Sequence, residues 1–468
     1  MLLNCFIFPN NHHRTCLIES NQFRTRPNLD TYVASPSNHF YIHYDLSGYN
    51  APDLSDEYGI LSLSPNGVPD YIDEVAIMAD YVRNVMINEF DFLPEIDDGD
   101  GIYDIYIKNK SSYNYGINIP DNEIMGASYI EIDNKYEEGS YYTSGINTMK
   151  LTLAHEFFHA IQRAYNSPAF GHTFFWEMSA TFIEDIFVPE GNDYIFWVDS
   201  FFENSSMNIS STDGYSIALF GHYLKNQIAD GDIGIIRKMW ENYSNINDPF
   251  YAMKNVLEND YNVNFQYIWS DFVSRNLYNS LYQDMNNNFY FHIDQKDIVS
   301  LALNFDSPTL INNSMFVNNI LINQQSANNN VYTVNNLSVI NLDYLTSGQI
   351  EGFVSILSQN INFNKHIYIN DNTNEIYINE NDLLFLTHSL HNTGYLNFEI
   401  NLSSPDISLG DCNLDQSLNV LDVVSLIEYI ISENYQNQLE YINADINTDN
   451  NLNIYDLVLL VEIILNTR

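Results

Sequence analysis

Two twelve-residue stretches near the carboxyl end, DCNLDQSLNVLD (411–422) and DINTDNNLNIYD (445–456), align without gaps thirty-four residues apart. Each places Asp, Asn, Asp, Asn and Asp at positions 1, 3, 5, 9 and 12. An EF-hand-type loop offers oxygen ligands to calcium at this spacing, with position 7 giving its backbone carbonyl. The two ligand sets are Asp411, Asn413, Asp415, Ser417, Asn419 and Asp422, and Asp445, Asn447, Asp449, Asn451, Asn453 and Asp456. Each loop runs into an apolar helical segment, VVSLIEYII or LVLLVEIIL. Asn- and Asp-rich turns are common in this chain, yet two in-register copies, each followed by a helix, read as a paired calcium module. One departure is local. Position 6 of an EF-hand loop is Gly for its sharp turn, and here it is Gln416 and Asn450. Asn tolerates a left-handed backbone and Gln much less so, so the first loop is expected to bind calcium more weakly.

The repeat resembles a type I dockerin over nearly all of residues 408–468, following a short linker at 404–410. The resemblance implies a small all-α module of loop-helix repeats, two calcium ions, and docking onto a cohesin-domain protein. Loop positions 10 and 11, where dockerins display recognition residues, are Val420 and Leu421, then Ile454 and Tyr455. An apolar docking face is expected.

Net charge points the same way. The chain holds 17 Lys+Arg against 61 Asp+Glu, a formal −44, which repels nucleic acid and anionic lipid and favours cations. The abundance of Asn, Ile, Tyr and Phe is what an AT-rich genome would give, but such a genome also favours Lys. Scarce Lys therefore fits a secreted protein in a saline or calcium-containing medium. With 45% hydrophobic and 14% aromatic residues the chain is a folding one. No run approaches eighteen apolar residues, so no membrane-spanning segment is expected. Three cysteines, Cys5, Cys16 and Cys412, make no disulfide framework. Residues 1–22 are a leader of uncertain status: MLLNCFIF is too short and interrupted for a signal-peptide core. It is either a stray extension or the trace of a start or signal further upstream.

Between leader and repeat, two domains are expected. In residues 23–285, HFYIHYD, IYDIYI (102–107) and ASYIEI (127–132) read as strands, and helices are expected from Pro69 to about Phe90 and at 147–164, 173–187, 215–228, 233–243 and 249–258. This mixture is an α+β domain. In residues 286–403, short β-rich runs (FYFHI, SMFVNNILI, NVYTV, GFVSIL, KHIYI, NEIYI, YLNFEI) alternate with Asn/Asp/Ser clusters, as a β-sandwich requires. A spacer is the default role for this second domain, and carbohydrate binding the alternative.

Within the α+β domain, LTLAHEFFHAIQ (151–162) carries His155 and His159 one helical turn apart, on one face, able to converge on one metal. Glu156 points nearby without binding and is placed to take a proton from an attacking water. FFWEMSATFIED (174–185) puts Glu177 eighteen residues after His159, past a Pro/Gly-containing stretch that allows an antiparallel return. A carboxylate on a second helix completes a His₂Glu zinc site with an open fourth position. Glu184, two turns on, is the alternative ligand, but is better placed to orient a histidine. For a donor to the developing oxyanion, Tyr215 is favoured over His222. The stretch MGASYIEIDN (125–134) is either the edge strand that pairs with an extended peptide or a plain core strand. His39, His43, His172, His292, His366, His388 and His391 show no metal spacing and are expected to be structural or surface residues.

AHEFFHAIQ and WEMSATFIED, with the upstream HFYIHYD, NGVPDYIDEVA and YDIYI, resemble a bacterial family of secreted gluzincin-type zinc metalloproteases over roughly residues 23–285. The resemblance implies a zincin-like fold, His155, His159 and Glu177 as zinc ligands, Glu156 as general base, and a protein or peptide substrate. Two other functions stay open: an inactive, scaffold-attached binding protein, and a zinc hydrolase of a non-peptide amide or ester.

Overall fold

The computed structural model describes residues 25–52, 66–110, 114–137, 142–166, 172–203, 205–279, 289–290, 292, 307–346, 348–358, 364–369, 376–432, 438–449 and 451–466. The leader with Cys5 and Cys16, and Asn450 of the second calcium loop, lie outside these residues. The chain divides into two compact units, Met1–Phe265 with Phe291–Ile293, and Gln266–Tyr290 with Asp294–Arg468.

The first unit is built on a mixed sheet of β1 (Thr31–Ala34), β2 (Phe40–Tyr44), β3 (Tyr103–Lys108), β4 (Gly116–Pro120) and β5 (Ser128–Asp133). The strand order is β1-β2-β3-β5-β4. β2, β3 and β5 run parallel, and β1 and β4 are antiparallel edges. MGASYIEIDN thus lies inside the sheet as β5, and the edge falls to GINIP of β4. Alternation explains β2, where Phe40, Ile42 and Tyr44 point into the core. β5 is buried on both faces, and its Glu131 is neutralised by Lys110 at 3.0 Å and Lys108 at 3.2 Å.

The α-helices among the described residues of this unit are α1 (Asp70–Asn84), between β2 and β3, and then α2 (Gly145–Tyr165), α3 (Thr173–Phe187), α4 (Ile195–Glu203), α5 (Ala218–Tyr223), α6 (Gly234–Ile246) and α7 (Pro249–Asp260). α2 is buried almost throughout. Phe157 sets its rotation, packing edge-on against Phe40 at 5.4 Å and Tyr103 at 5.5 Å between ring centroids. Two residues to either side of Phe157, His155 and His159 lie on the opposite face of the helix, toward α3.

In the second unit, α8 (Phe265–Arg275) precedes strands β6 (Thr309–Ile311), β7 (Ser314–Ile322), β8 (Asn328–Val334), β9 (Ser338–Tyr344), β10 (Ile350–Leu357), β11 (Lys365–Tyr368), β12 (Ile376–Ile378), β13 (Leu383–Leu390) and β14 (Gly394–Ser403). They form two sheets, β11-β10-β13-β8-β6 and β12-β9-β14-β7, over a shared apolar core that includes Ile322, Val354, Leu386 and Phe398. FYFHI is not a strand at its described residues. The boundary expected at 285 also shifts: from Gln266 onward α8 belongs with the sandwich. Ser270 bonds Ser389 at 2.8 Å, and Asp271 meets His366 at 2.7 Å.

His388, on β13, is fully buried with its Nε2 2.7 Å from the Tyr344 hydroxyl. Burial pushes its imidazole pKa down to about 3. The folded value is below the unfolded one of about 6.5, so protons bind preferentially to the unfolded chain. This contribution to stability is complete above about pH 6.5 and is lost as pH falls. Between pH 6.5 and 5 the loss is about 2 kcal/mol. Calorimetry of the full chain should show the sandwich transition moving down over that range, with a shallower dependence in His388→Gln.

From 411 to the end, the second unit carries α9 (Val420–Ser432), α10 (Gln438–Ala444) and α11 (Ile454–Asn466) around a small core of Cys412, Leu426, Tyr429, Ala444 and Leu460. Cys412 is a free, buried thiol.

Candidate metal centre and docking module

α2 and α3 bring His155, His159 and Glu177 together, each 1% exposed or less. His155 Nε2 stands 3.2 Å from Glu177 Oε2, His159 Nε2 stands 3.6 Å from it, and the two Nε2 atoms are 3.0 Å apart. A tetrahedral zinc with bonds of about 2.0–2.1 Å holds its donor atoms roughly 3.3 Å apart. The outer nitrogens settle the tautomers. His155 Nδ1 is 2.5 Å from Glu184 Oε1, an acceptor, so Nδ1 carries the proton. His159 Nδ1 is 2.6 Å from Gln162 Oε1, and Gln162 donates its own amide to Trp176 O and Ser179 Oγ. Both Nε2 atoms therefore turn lone pairs toward each other and toward a carboxylate oxygen, a buried arrangement that fits a divalent cation.

Glu156 is buried outside this triad, against β4. A Cβ at Gly116 would lie 2.6 Å from Thr152 Cγ2 and 2.9 Å from Glu156 Cγ, so only Gly lets the edge strand pass this close. Asn118 Nδ2 donates to the Glu156 carbonyl at 3.2 Å. Tyr215 stacks on His155, with ring centroids 6.0 Å apart and planes 6° from parallel. His222 is elsewhere, grouped with Asp185 and His292. Glu184 lies on the far nitrogen of His155.

Sequence reasoning missed Gln162 and Gly214. Gln162 was visible three residues after His159, but its role depends on where α3 returns. Gly214, at φ +91°, has no room for a side chain, since a Cβ would come within 2.6 Å of the Glu177 Cβ and the Phe174 carbonyl.

At their described residues the two loops at 411–422 and 445–456 share one pattern of backbone-to-carboxylate hydrogen bonds. Asp422 Oδ1 accepts from Cys412 N at 3.0 Å, and Asp456 Oδ1 from Ile446 N at 3.0 Å. Asp415 N donates to Asp411 Oδ1 at 3.0 Å, and Asp449 N to Asp445 Oδ1 at 3.1 Å. Asp422 and Asp456 are fully buried, with no ion pair to Lys or Arg among the described residues, a situation that calcium resolves. Asn413, Ser417 and Asn419, and Asn447, Asn451 and Asn453, keep equivalent places in the two loops. Gln416 adopts φ +63°, the left-handed turn its position demands. Gln416→Gly is expected to stabilise the first loop by about 1 kcal/mol and tighten its calcium binding about fivefold. Calcium titration of the full chain by calorimetry checks this.

Residues 409–465 match the family model described as the dockerin type I domain. The C-terminal module is a type I dockerin. This dockerin attaches the chain to a cohesin-bearing partner through a calcium-dependent contact. Its exposed apolar residues come in two sets. Val420, Leu421, Val424, Ile427 and Ile431 on one side are matched thirty-four residues later by Ile454, Tyr455, Val458, Val461 and Leu465. Residues 108–338 match a second model, described as a family of unknown function (DUF6055), which spans the metal centre and runs into the sandwich. No curated protein matches the chain. Among the described residues, no helix is long and apolar enough to cross a membrane.

Proposed function

We propose that the first unit is a secreted zinc endopeptidase, carried to a cohesin-bearing partner by the dockerin. The observation that carries this reading is the convergence of His155 Nε2, His159 Nε2 and Glu177 Oε2, with both imidazoles locked from behind by Glu184 and Gln162. These three residues would hold zinc, which supplies a Lewis acid and an acidified water when bound. Glu156 takes the proton of the attacking water and returns it to the leaving amine. Tyr215, stacked on His155, donates its hydroxyl to the carbonyl oxygen as charge develops there. β4 favours a peptide over other amides and esters. Among the described residues it is an edge of the sheet, paired with β5, and it runs beside Glu156, where an extended chain can add as a further strand. Dockerin-bearing proteins typically work outside the cell, where such an activity has substrate.

The test is cleavage of a casein-like unstructured protein by metal-stripped chain with calcium restored. Cleavage that returns with added zinc and not with calcium alone is the expected result. A zinc-loaded chain that cuts neither that protein nor a mixed peptide library would turn the reading toward a non-peptide substrate.

A further inference from the structure

Asp185, His222 and His292 converge in the first unit, from three places far apart in the chain. Asp185 ends the working face of α3, His222 lies on α5, and His292 comes seventy residues later. Asp185 Oδ2 is 3.3 Å from His222 Nε2 and 3.7 Å from His292 Nε2, close to the spacing of roughly 3.3 Å between donors of a tetrahedral zinc. The side chains of Asp185 and His222 are 5% exposed or less, and that of His292 is 10% exposed. His222 Nε2 has no hydrogen-bond partner among the described residues, although it is buried and aimed at the carboxylate. Tyr194 OH stands 3.4 Å from His292 Nδ1, on the side away from the cluster, as a group orienting a ligand would.

We propose that Asp185, His222 and His292 form a second transition-metal site, for zinc in the first instance, structural in role and sharing no ligand with the first. A His₂Asp donor set suits zinc among divalent ions, whereas calcium takes oxygen ligands. A bound ion cross-links the carboxyl end of α3 to α5 and to the segment carrying His292. It thereby braces the helix that presents Glu177 and Glu184 to the first centre.

The site is independent of the catalytic reading, and one set of measurements separates them. Full-length chain is produced with zinc, dialysed against excess calcium to clear weakly held ions from its acidic surface, and analysed for zinc per chain. Two zinc ions are expected in the wild type, one in His292→Gln, one in His159→Ala, and none in the double variant. One zinc that survives His159→Ala and is lost in His292→Gln supports this site and overturns the first. One zinc lost in His159→Ala and retained in His292→Gln overturns this site, and a zinc-free wild type overturns both. Folding is controlled in the His159→Ala background. Adding zinc to the stripped protein should raise its melting temperature, and the shift should vanish in His159→Ala/His292→Gln while far-UV circular dichroism is unchanged. A shift that persists in the double variant would overturn the assignment.

Discussion

Glu156→Gln is expected to leave the chain folded and its zinc content unchanged, while cleavage of an unstructured protein slows by about 10²–10⁴-fold. The substitution is nearly isosteric, and the pocket demands that. Glu156 is buried, and the backbone of Gly116 leaves no slack beside its Cγ. An amide in that place preserves the contact with β4 but cannot accept a proton. Glu177→Ala fails differently. It removes the only carboxylate among the described residues that faces both Nε2 atoms, so zinc itself should be lost, together with all activity. Zinc assay and steady-state turnover on the same preparations distinguish a lost base from a lost ligand.

Docking should respond to substitution in an all-or-little manner. The two apolar faces of the dockerin are related by the thirty-four-residue repeat, and their helices meet through Leu426 and Leu460, themselves a matched pair. Each face is expected to be able to dock by itself. Leu421→Asp alone, or Tyr455→Asp alone, should therefore weaken cohesin binding only about twofold, since one face remains. The double substitution should weaken it by 100-fold or more, because a charge is forced into the apolar contact whichever face docks. Calcium chelation should match the double variant, since the buried carboxylates of Asp422 and Asp456 at the heads of α9 and α11 then lose their cation. Surface plasmon resonance on an immobilised cohesin measures all four cases.

The legible features were those whose chemistry is local. His155 and His159 share a face because four residues make about one helical turn, and α3 spans Thr173–Phe187, the limits its sequence pattern marks. The calcium loops could be read because all ligands of each lie within twelve residues and the pattern recurs in register. Features decided by distant pairing were hidden. Which strand is the edge depends on β4 adding beyond β5, and GINIP carries no signal of that. Gln162 orients His159 only because α3 returns with its Trp176 carbonyl and Ser179 beside the amide. The allegiance of α8 rests on partners at 324, 366 and 389. His292 meets His222 and Asp185 from distant parts of the chain, a grouping that no local spacing in the sequence marks.

The most direct measurement is anomalous X-ray diffraction at the zinc edge on crystals of the full chain. The account predicts an anomalous peak bonded to His155 Nε2, His159 Nε2 and a Glu177 oxygen. Crystals grown with zinc that show no peak between those three residues would contradict it.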